Sequence, residues 1–146
     1  MALALAEARA AYEREEVPVG AVIVRGDEVL ARAHNRVLGD LDPSAHAEIL
    51  ALRAAARATA AVRLVDCVVY TTGEPCFMCA GALVHARVRR VVFAVRDPKF
   101  GGCVSLGRVL DHPHANHRVE MAEGPGSDEA RRLLQEFFRA RRAIKE

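Results

Sequence analysis

A histidine, a glutamate and a pair of cysteines are the residues of this chain whose types and spacing could do chemistry. One residue separates His46 from Glu48, and Cys76 lies 30 positions after His46, with Cys79 three positions further on. One imidazole and two thiolates are ligands that zinc prefers, and a catalytic zinc site leaves a fourth coordination position open for water. Zinc lowers the pKa of bound water to roughly 7, so that hydroxide is available at neutral pH. We therefore expect His46, Cys76 and Cys79 to bind one Zn²⁺ ion, with Glu48 beside it as a carrier of protons.

Helix geometry is compatible with this site. Cys76 and Cys79 are three positions apart, so within a helix they lie on one face and can share a metal ion. The segment Glu74-Pro75 in front of them fits a helix start, because proline suits the first helical position. His46 and Glu48 are about 200° apart around an ideal helix of roughly 3.6 residues per turn. Both can therefore reach a shared centre only near the end of a helix.

Two alternatives to an open zinc site remain at this point. A Cys-x-x-Cys pair can form a redox-active disulfide, although no thioredoxin-like pattern surrounds this one. A closed structural zinc site would need a fourth protein ligand, and Cys103 is the cysteine in a polar loop that could supply it. Cys67 lies in an apolar run and is predicted to be a small buried hydrophobic residue. An open site predicts an enzyme, whereas a site closed by Cys103 predicts a zinc-binding module without chemistry.

Composition indicates one globular domain. The chain has 146 residues, of which 51% are hydrophobic, and this length suits one core over residues 1–146. It contains no apolar stretch long enough to cross a membrane and no export signal, so we expect a cytoplasmic protein whose cysteines are metal ligands or free thiols. The net charge is +2. A basic cluster after the cysteine motif would suit a phosphate backbone. It consists of Arg87, Arg89, Arg90, Arg96, Lys99 and Arg108.

Hydrophobic periodicity and turn residues predict alternating helices and strands. The predicted helices cover 1–16, 43–60, 76–86 and 127–142, and the predicted strands cover 17–25, 29–35, 67–72, 88–95 and 118–121. Asp42 is the expected N-cap of the second helix. The first two strands should pair antiparallel, and later strands that alternate with helices should pair parallel through right-handed crossovers. We therefore expect an α/β fold with a mixed five-stranded sheet between helix layers, and both zinc motifs at one edge of that sheet.

Several segments around these motifs resemble the cytidine-deaminase-like superfamily and, within it, the bacterial tRNA-specific adenosine deaminases. A His-x-Glu motif followed by Pro-Cys-x-x-Cys is typical of zinc nucleobase deaminases in general. The Asp-Pro-x-Ala-His-Ala-Glu-Ile context, the Asn-His-Arg segment and the Phe-Phe-Arg tail resemble the tRNA enzymes in particular. The resemblance runs nearly end to end and rests on residues 16–22, 34–36, 42–49, 74–82, 96–99, 116–118 and 137–139.

The resemblance implies a three-layer α/β/α fold and hydrolytic deamination of adenosine to inosine at the wobble position of a tRNA. Residues 1–146 would then be a single zinc-dependent deaminase domain that works as a homodimer on a tRNA anticodon stem-loop. Glu48 would be the catalytic proton shuttle. Zinc binding, with one ion per subunit, is assigned to His46, Cys76 and Cys79. Contacts with the flipped nucleotide and the surrounding RNA are assigned to Asn35, Asp97 and Lys99.

The expected reaction is attack of zinc-activated water on C6 of adenine, while Glu48 protonates the ring nitrogen and later the departing ammonia. The base must first be unstacked, which in a single-stranded loop costs only a few kcal/mol. A deaminase of free guanine or nucleosides, or one of the cytidine type, would use the same zinc and glutamate without a basic surface. Without the resemblance, Asn35 would be interpreted as a turn residue at the end of a hairpin.

Overall fold

Helices and strands alternate along the computed structural model, which describes residues 1–145. The helices are α1 (Ala2–Glu13), α2 (Ala47–Thr59), α3 (Phe77–His85) and α4 (Ser127–Lys145). The strands are β1 (Gly20–Arg25), β2 (Glu28–His34), β3 (Cys67–Gly73), β4 (Arg90–Val95) and β5 (Glu120–Glu123). Glu146, the last residue of the predicted domain, lies outside the described residues.

The five strands form one mixed sheet in the order β2-β1-β3-β4-β5. Strand β1 is antiparallel to both β2 and β3, whereas β3, β4 and β5 are parallel. Four strands therefore run in one direction and β1 runs against them. As a result, the C-terminal ends of β2, β3 and β4 lie at the same edge of the sheet as the start of β1. The predicted hairpin and the predicted parallel pairs are confirmed.

Helices cover both faces of the sheet, as the predicted three-layer arrangement requires. On one face, Ile23, Val69 and Phe93 belong to the main core, which they share with α2 and α3. On the other face, Ala94 packs with Leu5 of α1 and Ala130 of α4. Burial on both faces explains why the central strands are continuous apolar runs rather than alternating ones. In the described part of the chain, no helix combines the length and the apolar composition that crossing a bilayer requires.

Helix α1 lies unusually close to the start of β1. A Cβ atom placed on Gly20 would stand 2.0 Å from the carbonyl oxygen of Ala4, so only glycine fits at this position. The chain leaves α1 through Glu15, whose φ of 60° lies in the left-handed region. This turn brings Glu16 into the interior, where it is 3% exposed. The α1–β1 connection thus delivers a buried carboxylate to the edge of the sheet where the zinc motifs lie.

Candidate metal and substrate site

The three candidate metal ligands lie at the starts of two helices. His46 directly precedes α2 and Cys76 directly precedes α3, and both have extended backbone conformations. Cys79 follows in the first turn of α3. The N-terminal end of a helix carries a partial positive charge, which favours thiolate over thiol. The fold therefore brings two positively polarised helix ends to the same point.

The spacing of the ligand atoms fits a zinc ion. Nδ1 of His46 lies 3.6 Å from Sγ of Cys76 and 3.4 Å from Sγ of Cys79, and all three atoms lie within 4.8 Å of one another. In a tetrahedral site with Zn–N distances of about 2.0–2.1 Å and Zn–S distances of about 2.3 Å, nitrogen and sulfur are about 3.6 Å apart. Among the residues that the structure describes, no fourth His, Cys, Asp or Glu joins this group. The donor set thus suits zinc with one coordination position left for water.

The two thiols differ strongly in acidity. A hydrogen bond from Cys79 lowers the pKa of Cys76 to about 4, and His46 contributes in the same direction. The pKa of Cys79 is raised, first because its thiol donates this hydrogen bond and second because it is buried. The hydrogen bond to Cys76 also raises the pKa of His46. Since zinc binds thiolate rather than thiol, we expect binding of the ion to release the proton of Cys79.

Glu48 lies in the first turn of α2, two residues beyond His46 at the helix start. Its side chain is 4% exposed, and its Oε1 atom has no hydrogen-bond partner among the described residues. Burial raises the pKa of this carboxyl group. A buried polar atom without a partner is rare in folded proteins, and a perturbed carboxyl group in such a place is typical of acid–base sites. The first helical turn also sets the position of Glu48 relative to His46.

The prediction that Asp42 caps the second helix is wrong. Helix α2 begins at Ala47, and Oδ1 of Asp42 instead accepts hydrogen bonds from the backbone nitrogen and the hydroxyl group of Ser44, at 2.9 and 2.7 Å. Aspartate readily forms such local turns, which compete with helix capping. Pro75 is likewise not the first residue of α3, since the helix begins at Phe77. Because both helices begin later than predicted, His46 and Cys76 lie directly before α2 and α3 rather than inside them.

Cys103 does not close the metal site. Its side chain is fully buried, and its thiol donates to the carbonyl oxygen of Pro75 at 3.7 Å rather than joining the three ligands. Burial raises the pKa of this thiol, which disfavours the thiolate that a metal needs. Cys67 is also fully buried and belongs to the main core, so its prediction as a small buried hydrophobic residue is confirmed.

Sequence reasoning missed the role of Glu74 in building the site. Its Oε2 atom accepts hydrogen bonds from the backbone nitrogens of Cys103, Val104 and Ser105, at 3.1, 2.9 and 3.0 Å. Its Oε1 atom accepts from the Asp97 nitrogen at 3.0 Å and from the Ser105 hydroxyl group. Burial alone would raise the pKa of Glu74, but these hydrogen bonds outweigh it and hold the pKa below its usual value. Glu74 thereby fastens the loop of residues 97–105 to the segment that carries Cys76.

The three residues expected to contact substrate all follow strands that end at this edge of the sheet. Asn35 follows β2, is 7% exposed, and its Nδ2 atom lies 3.3 Å from Oε2 of Glu16. The next residue, Arg36, donates its backbone N–H to Ala45, immediately before the metal ligand His46. After β4, Oδ1 of Asp97 accepts hydrogen bonds from the backbone nitrogens of Lys99 and Phe100, and the Lys99 side chain is exposed. The carboxylate of Asp97 therefore shapes the loop that presents Lys99.

The predicted basic cluster does not form one surface. Arg90 begins β4 and Arg96 follows its end, and a strand rises about 3.3 Å per residue, so the two lie about 20 Å apart along the strand. Arg96 forms an ion pair with Glu123, and Arg108 forms one with Asp111. Another group of arginines lies closer to Asn35, around a surface cavity of about 510 Å³. The cavity is lined by Arg14, Glu15, Glu16, Arg36, Leu38, Gly39 and Arg141.

Fold and site together define a class of protein. A mixed sheet that places a His-x-Glu and a Cys-x-x-Cys motif on adjacent helix starts is the arrangement of the zinc nucleobase deaminases. Residues 1–142 match the family model of the MafB19-like deaminases. The chain is 47% identical over 137 residues to the tRNA-specific adenosine deaminase of Aquifex aeolicus strain VF5, covering 94% of this chain and 90% of that one.

Solved structures agree with the sequence comparison. One comes from a study of A-to-I editing by tRNA:A34 deaminases at the wobble position and is similar with a TM-score of 0.88 and 42% identity, over 92% of this chain and 97% of that one. Another is the guanine deaminase from Nitrosomonas europaea, with a TM-score of 0.80 and 27% identity, over 93% of this chain and 81% of that one. The chain belongs to the MafB19-like deaminase family and, within it, to the tRNA-specific adenosine deaminases.

Proposed function

We propose that this protein deaminates adenosine to inosine at the wobble position of tRNA, and that residues 1–146 form one zinc-dependent deaminase domain. The observation that carries the proposal is a group of three zinc-type ligands, with no fourth protein ligand in residues 1–145, beside a buried carboxyl group whose Oε1 atom has no hydrogen-bond partner in that range. Relatives that are named for this reaction match the chain nearly end to end. The expected partner is a tRNA anticodon stem-loop, which places the enzyme in the cytoplasm.

In the proposed site, His46, Cys76 and Cys79 hold zinc, which supplies activated water at neutral pH when bound. Glu48 takes the proton of that water and delivers it to the ring nitrogen of adenine, and a second transfer through the same carboxyl group accompanies the departure of ammonia. The raised pKa of Glu48 suits this task, because a general acid–base group works best when its pKa lies near the operating pH. The buried setting also keeps bulk water away from the transferred proton.

Recognition of the RNA is proposed to come from the strand ends around the metal site. Asn35 would bind the flipped nucleotide, and the loop that carries Asp97 and Lys99 would lie beside the RNA. Guanidinium groups recognise phosphate oxygens well, so Arg36 and Arg141 at the neighbouring cavity suit the phosphates that flank the flipped base. The cavity adjoins Asn35, because Arg36, which lines the cavity, directly follows Asn35 in the sequence.

We also propose that the active form is a homodimer. Four apolar side chains at the start of α3 and in the loop after β4 are exposed by 41–67%, namely Phe77, Met78, Phe100 and Leu106. Contiguous exposed apolar surface commonly packs against another protein, and burial of these side chains in a second subunit would remove them from water. Sedimentation velocity of the zinc-loaded protein tests this, and a species of one chain at micromolar concentration would refute it.

A substrate panel tests the reaction. Zinc-loaded protein is incubated with an anticodon stem-loop that carries adenosine at the wobble position, and separately with free guanine, adenosine and cytidine. The proposal predicts that inosine forms in the stem-loop. It also predicts that the free compounds are not deaminated at rates comparable to that of the stem-loop. Turnover of guanine alone would instead support a guanine deaminase. This is the second candidate function because the structure is similar to that of the Nitrosomonas europaea enzyme.

The role of Glu48 is tested by the substitution Glu48→Gln. This change keeps the size of the side chain but removes its ability to carry a proton, so activity should fall by roughly 10² or more. Zinc content, measured by mass spectrometry of the metal, should stay at one ion per chain. Glu13→Gln, at an exposed position of α1, is the matched control and should change neither quantity. Loss of zinc from the Glu48→Gln variant would show that this carboxylate is a ligand.

A further inference from the structure

Glu16 is a buried carboxylate that the proposed reaction does not use. Its Oε2 atom accepts hydrogen bonds from Nδ2 of Asn35 at 3.3 Å and from the backbone nitrogen of Leu38 at 3.2 Å. Its Oε1 atom accepts from the backbone nitrogen of Gly39 at 2.7 Å. Burying a charged group is costly unless it is hydrogen-bonded, and here all of the named donors come from the segment that follows β2. One side chain thus ties the α1–β1 connection to the segment of Asn35.

The hydrogen bond to Glu16 decides which way the amide of Asn35 faces. An amide offers two N–H donors on one side and an acceptor oxygen on the other. Opposite a carboxylate, the oxygen would be repelled, whereas an N–H group gains a charge-assisted hydrogen bond. Oδ1 and the second N–H of Asn35 are therefore left for another partner. This donor–acceptor pair is suited to the edge of a base or to a ribose hydroxyl group.

The same carboxylate holds the chain between Asn35 and the metal ligands. Leu38 and Gly39 donate to it, and both line the cavity of about 510 Å³ beside the site. The neighbouring Arg36 donates its backbone N–H to Ala45 at 3.0 Å, so this segment also contacts the residue before His46. Motion of the segment would therefore move the amide of Asn35 relative to the metal ligands.

We propose that Glu16 is a positioning residue of the deaminase: it fixes the orientation of the Asn35 amide so that its free donor and acceptor face the substrate nucleotide. This rests on the proposed function, in which Asn35 binds that nucleotide. Glu16 itself contacts no substrate atom and acts through Asn35. Preorganisation of this kind lowers the entropic cost of substrate binding. It also raises the fraction of bound substrate that is correctly oriented for the reaction.

A double-mutant cycle separates positioning from a merely structural role. Glu16→Gln preserves size but offers both a donor and an acceptor, so that the Asn35 amide no longer has one preferred orientation. In the parent background, kcat/KM should fall about tenfold, which corresponds to about 1.4 kcal/mol and to the net value of one hydrogen bond. In the Asn35→Ala background, the same substitution should change kcat/KM less than about twofold, because the group through which it acts is gone.

An equal loss in both backgrounds would overturn the proposal, since it would show that Glu16 acts through the backbone of Leu38 and Gly39 alone. Glu13→Gln is the matched control, because this exposed residue lies three positions before Glu16 and outside the cavity lining, and it should leave kcat/KM within about twofold of the parent. Zinc content and the melting temperature of every variant show whether the site remains assembled. The cycle is measured on the stem-loop and on free guanine, so that a parent active on guanine alone refutes the tRNA function while the coupling is still measured.

A measurement on the unaltered protein covers the case in which Glu16→Gln fails to fold. In ¹⁵N-correlated NMR spectra of the zinc-loaded protein, the side-chain amide of Asn35 should give one pair of proton signals. One proton of the pair should exchange slowly with solvent, because it is bound to the buried carboxylate. Two sets of signals, or fast exchange of both protons, would show that the amide has no fixed orientation and would overturn the proposal.

Discussion

The hydrogen bonds to Glu74 lead to a quantitative prediction for the loop beside the site. Glu74→Gln keeps the length of the side chain but replaces one oxygen by an amino group that cannot accept. The least costly arrangement keeps the remaining oxygen facing the backbone nitrogens of residues 103–105. The amino group then faces the Asp97 N–H and the Ser105 hydroxyl group. The hydroxyl group can rotate and accept, but the Asp97 N–H is left without a partner.

The size of the effect follows from these contacts. A buried N–H without a partner costs about 1–3 kcal/mol, and the bonds that remain lose the assistance of the negative charge. We therefore expect Glu74→Gln to lower the free energy of unfolding by about 2–4 kcal/mol. Ser105→Ala removes one donor and leaves the carboxylate intact, so its cost should be smaller, at about 1–2 kcal/mol.

A second substitution disturbs the same contact from the other side. A Cβ atom at Gly101 would stand 2.3 Å from the carboxyl carbon of Glu74, so Gly101→Ala must displace either the loop or the carboxylate. We expect a loss of stability of the same order as for Glu74→Gln, about 2–4 kcal/mol. Gly81→Ala is the matched control: a Cβ atom there meets nothing within 4 Å, and alanine inside α3 should stabilise the protein by about 1 kcal/mol.

The assay is urea unfolding of the zinc-saturated proteins, followed by circular dichroism, with zinc content measured on the same samples. The reasoning is refuted if Glu74→Gln unfolds within about 0.5 kcal/mol of the parent, which is the scatter of ordinary surface substitutions. It is also refuted if Gly101→Ala and Gly81→Ala change stability equally, because the space around the two glycines differs. A graded series in which Ser105→Ala lies between the parent and Glu74→Gln would support the hydrogen-bond account.

Two further predictions concern the helices. Ala60 ends α2 with a φ of 52°, a conformation that costs a residue with a side chain about 1–2 kcal/mol. In thermal melts, Ala60→Gly should therefore raise Tm by about 2–4 °C, whereas Ala58→Gly inside the same helix should lower it by a similar amount; shifts of the same sign would contradict this. The carboxylate of Glu7 lies 2.8 Å from Nδ1 of His34 and forms an ion pair with Arg32, and its pKa lies below the usual value because its hydrogen bonds with His34 and Arg32 outweigh burial, which alone would raise it. A lowered pKa stabilises the fold above the pKa of the unfolded chain and ceases to do so as the pH falls through the folded value. Glu7→Gln should thus cost about 1–2 kcal/mol at pH 7, and this cost should disappear as the pH falls through the folded pKa of Glu7, while the exposed control Glu13→Gln should show no difference at either end of the titration.

The fold and the cluster of candidate metal ligands were predictable from local features of the sequence. Strands and helices follow from short-range periodicity, and the mixed sheet follows from their order. Cys76 directly precedes α3 and Cys79 lies in its first turn, so their spacing of three keeps them together, and the angle between His46 and Glu48 required a helix start, which is where the structure places them. In these cases the physical constraint acts over a few residues, so the sequence displays it directly.

Features that depend on distant parts of the chain were not predictable in this way. Glu74 and Glu16 accept hydrogen bonds mainly from backbone nitrogens more than a dozen residues away, and a backbone donor has no sequence signature. The prediction of one basic surface was wrong for the opposite reason, because it relied on closeness in sequence. Arg90 and Arg96 are near neighbours in sequence, but the strand between them carries them to opposite edges of the sheet. The error at Asp42 arose because a local turn and a helix cap use the same side chain.

The position of His46 and Glu48 at the start of one helix has an evolutionary consequence. Their separation depends on the pitch of a helix, whereas Asn35, Asp97 and Lys99 depend on connections between strands. Under the proposed function, mutations in those connections alter which molecule is accepted while the geometry of the reacting groups is kept. The chain is structurally similar both to a deaminase that acts on transfer RNA and to a guanine deaminase, as such modularity would predict. This modularity also makes the connections, rather than the helices, the places to diversify when a new specificity is sought.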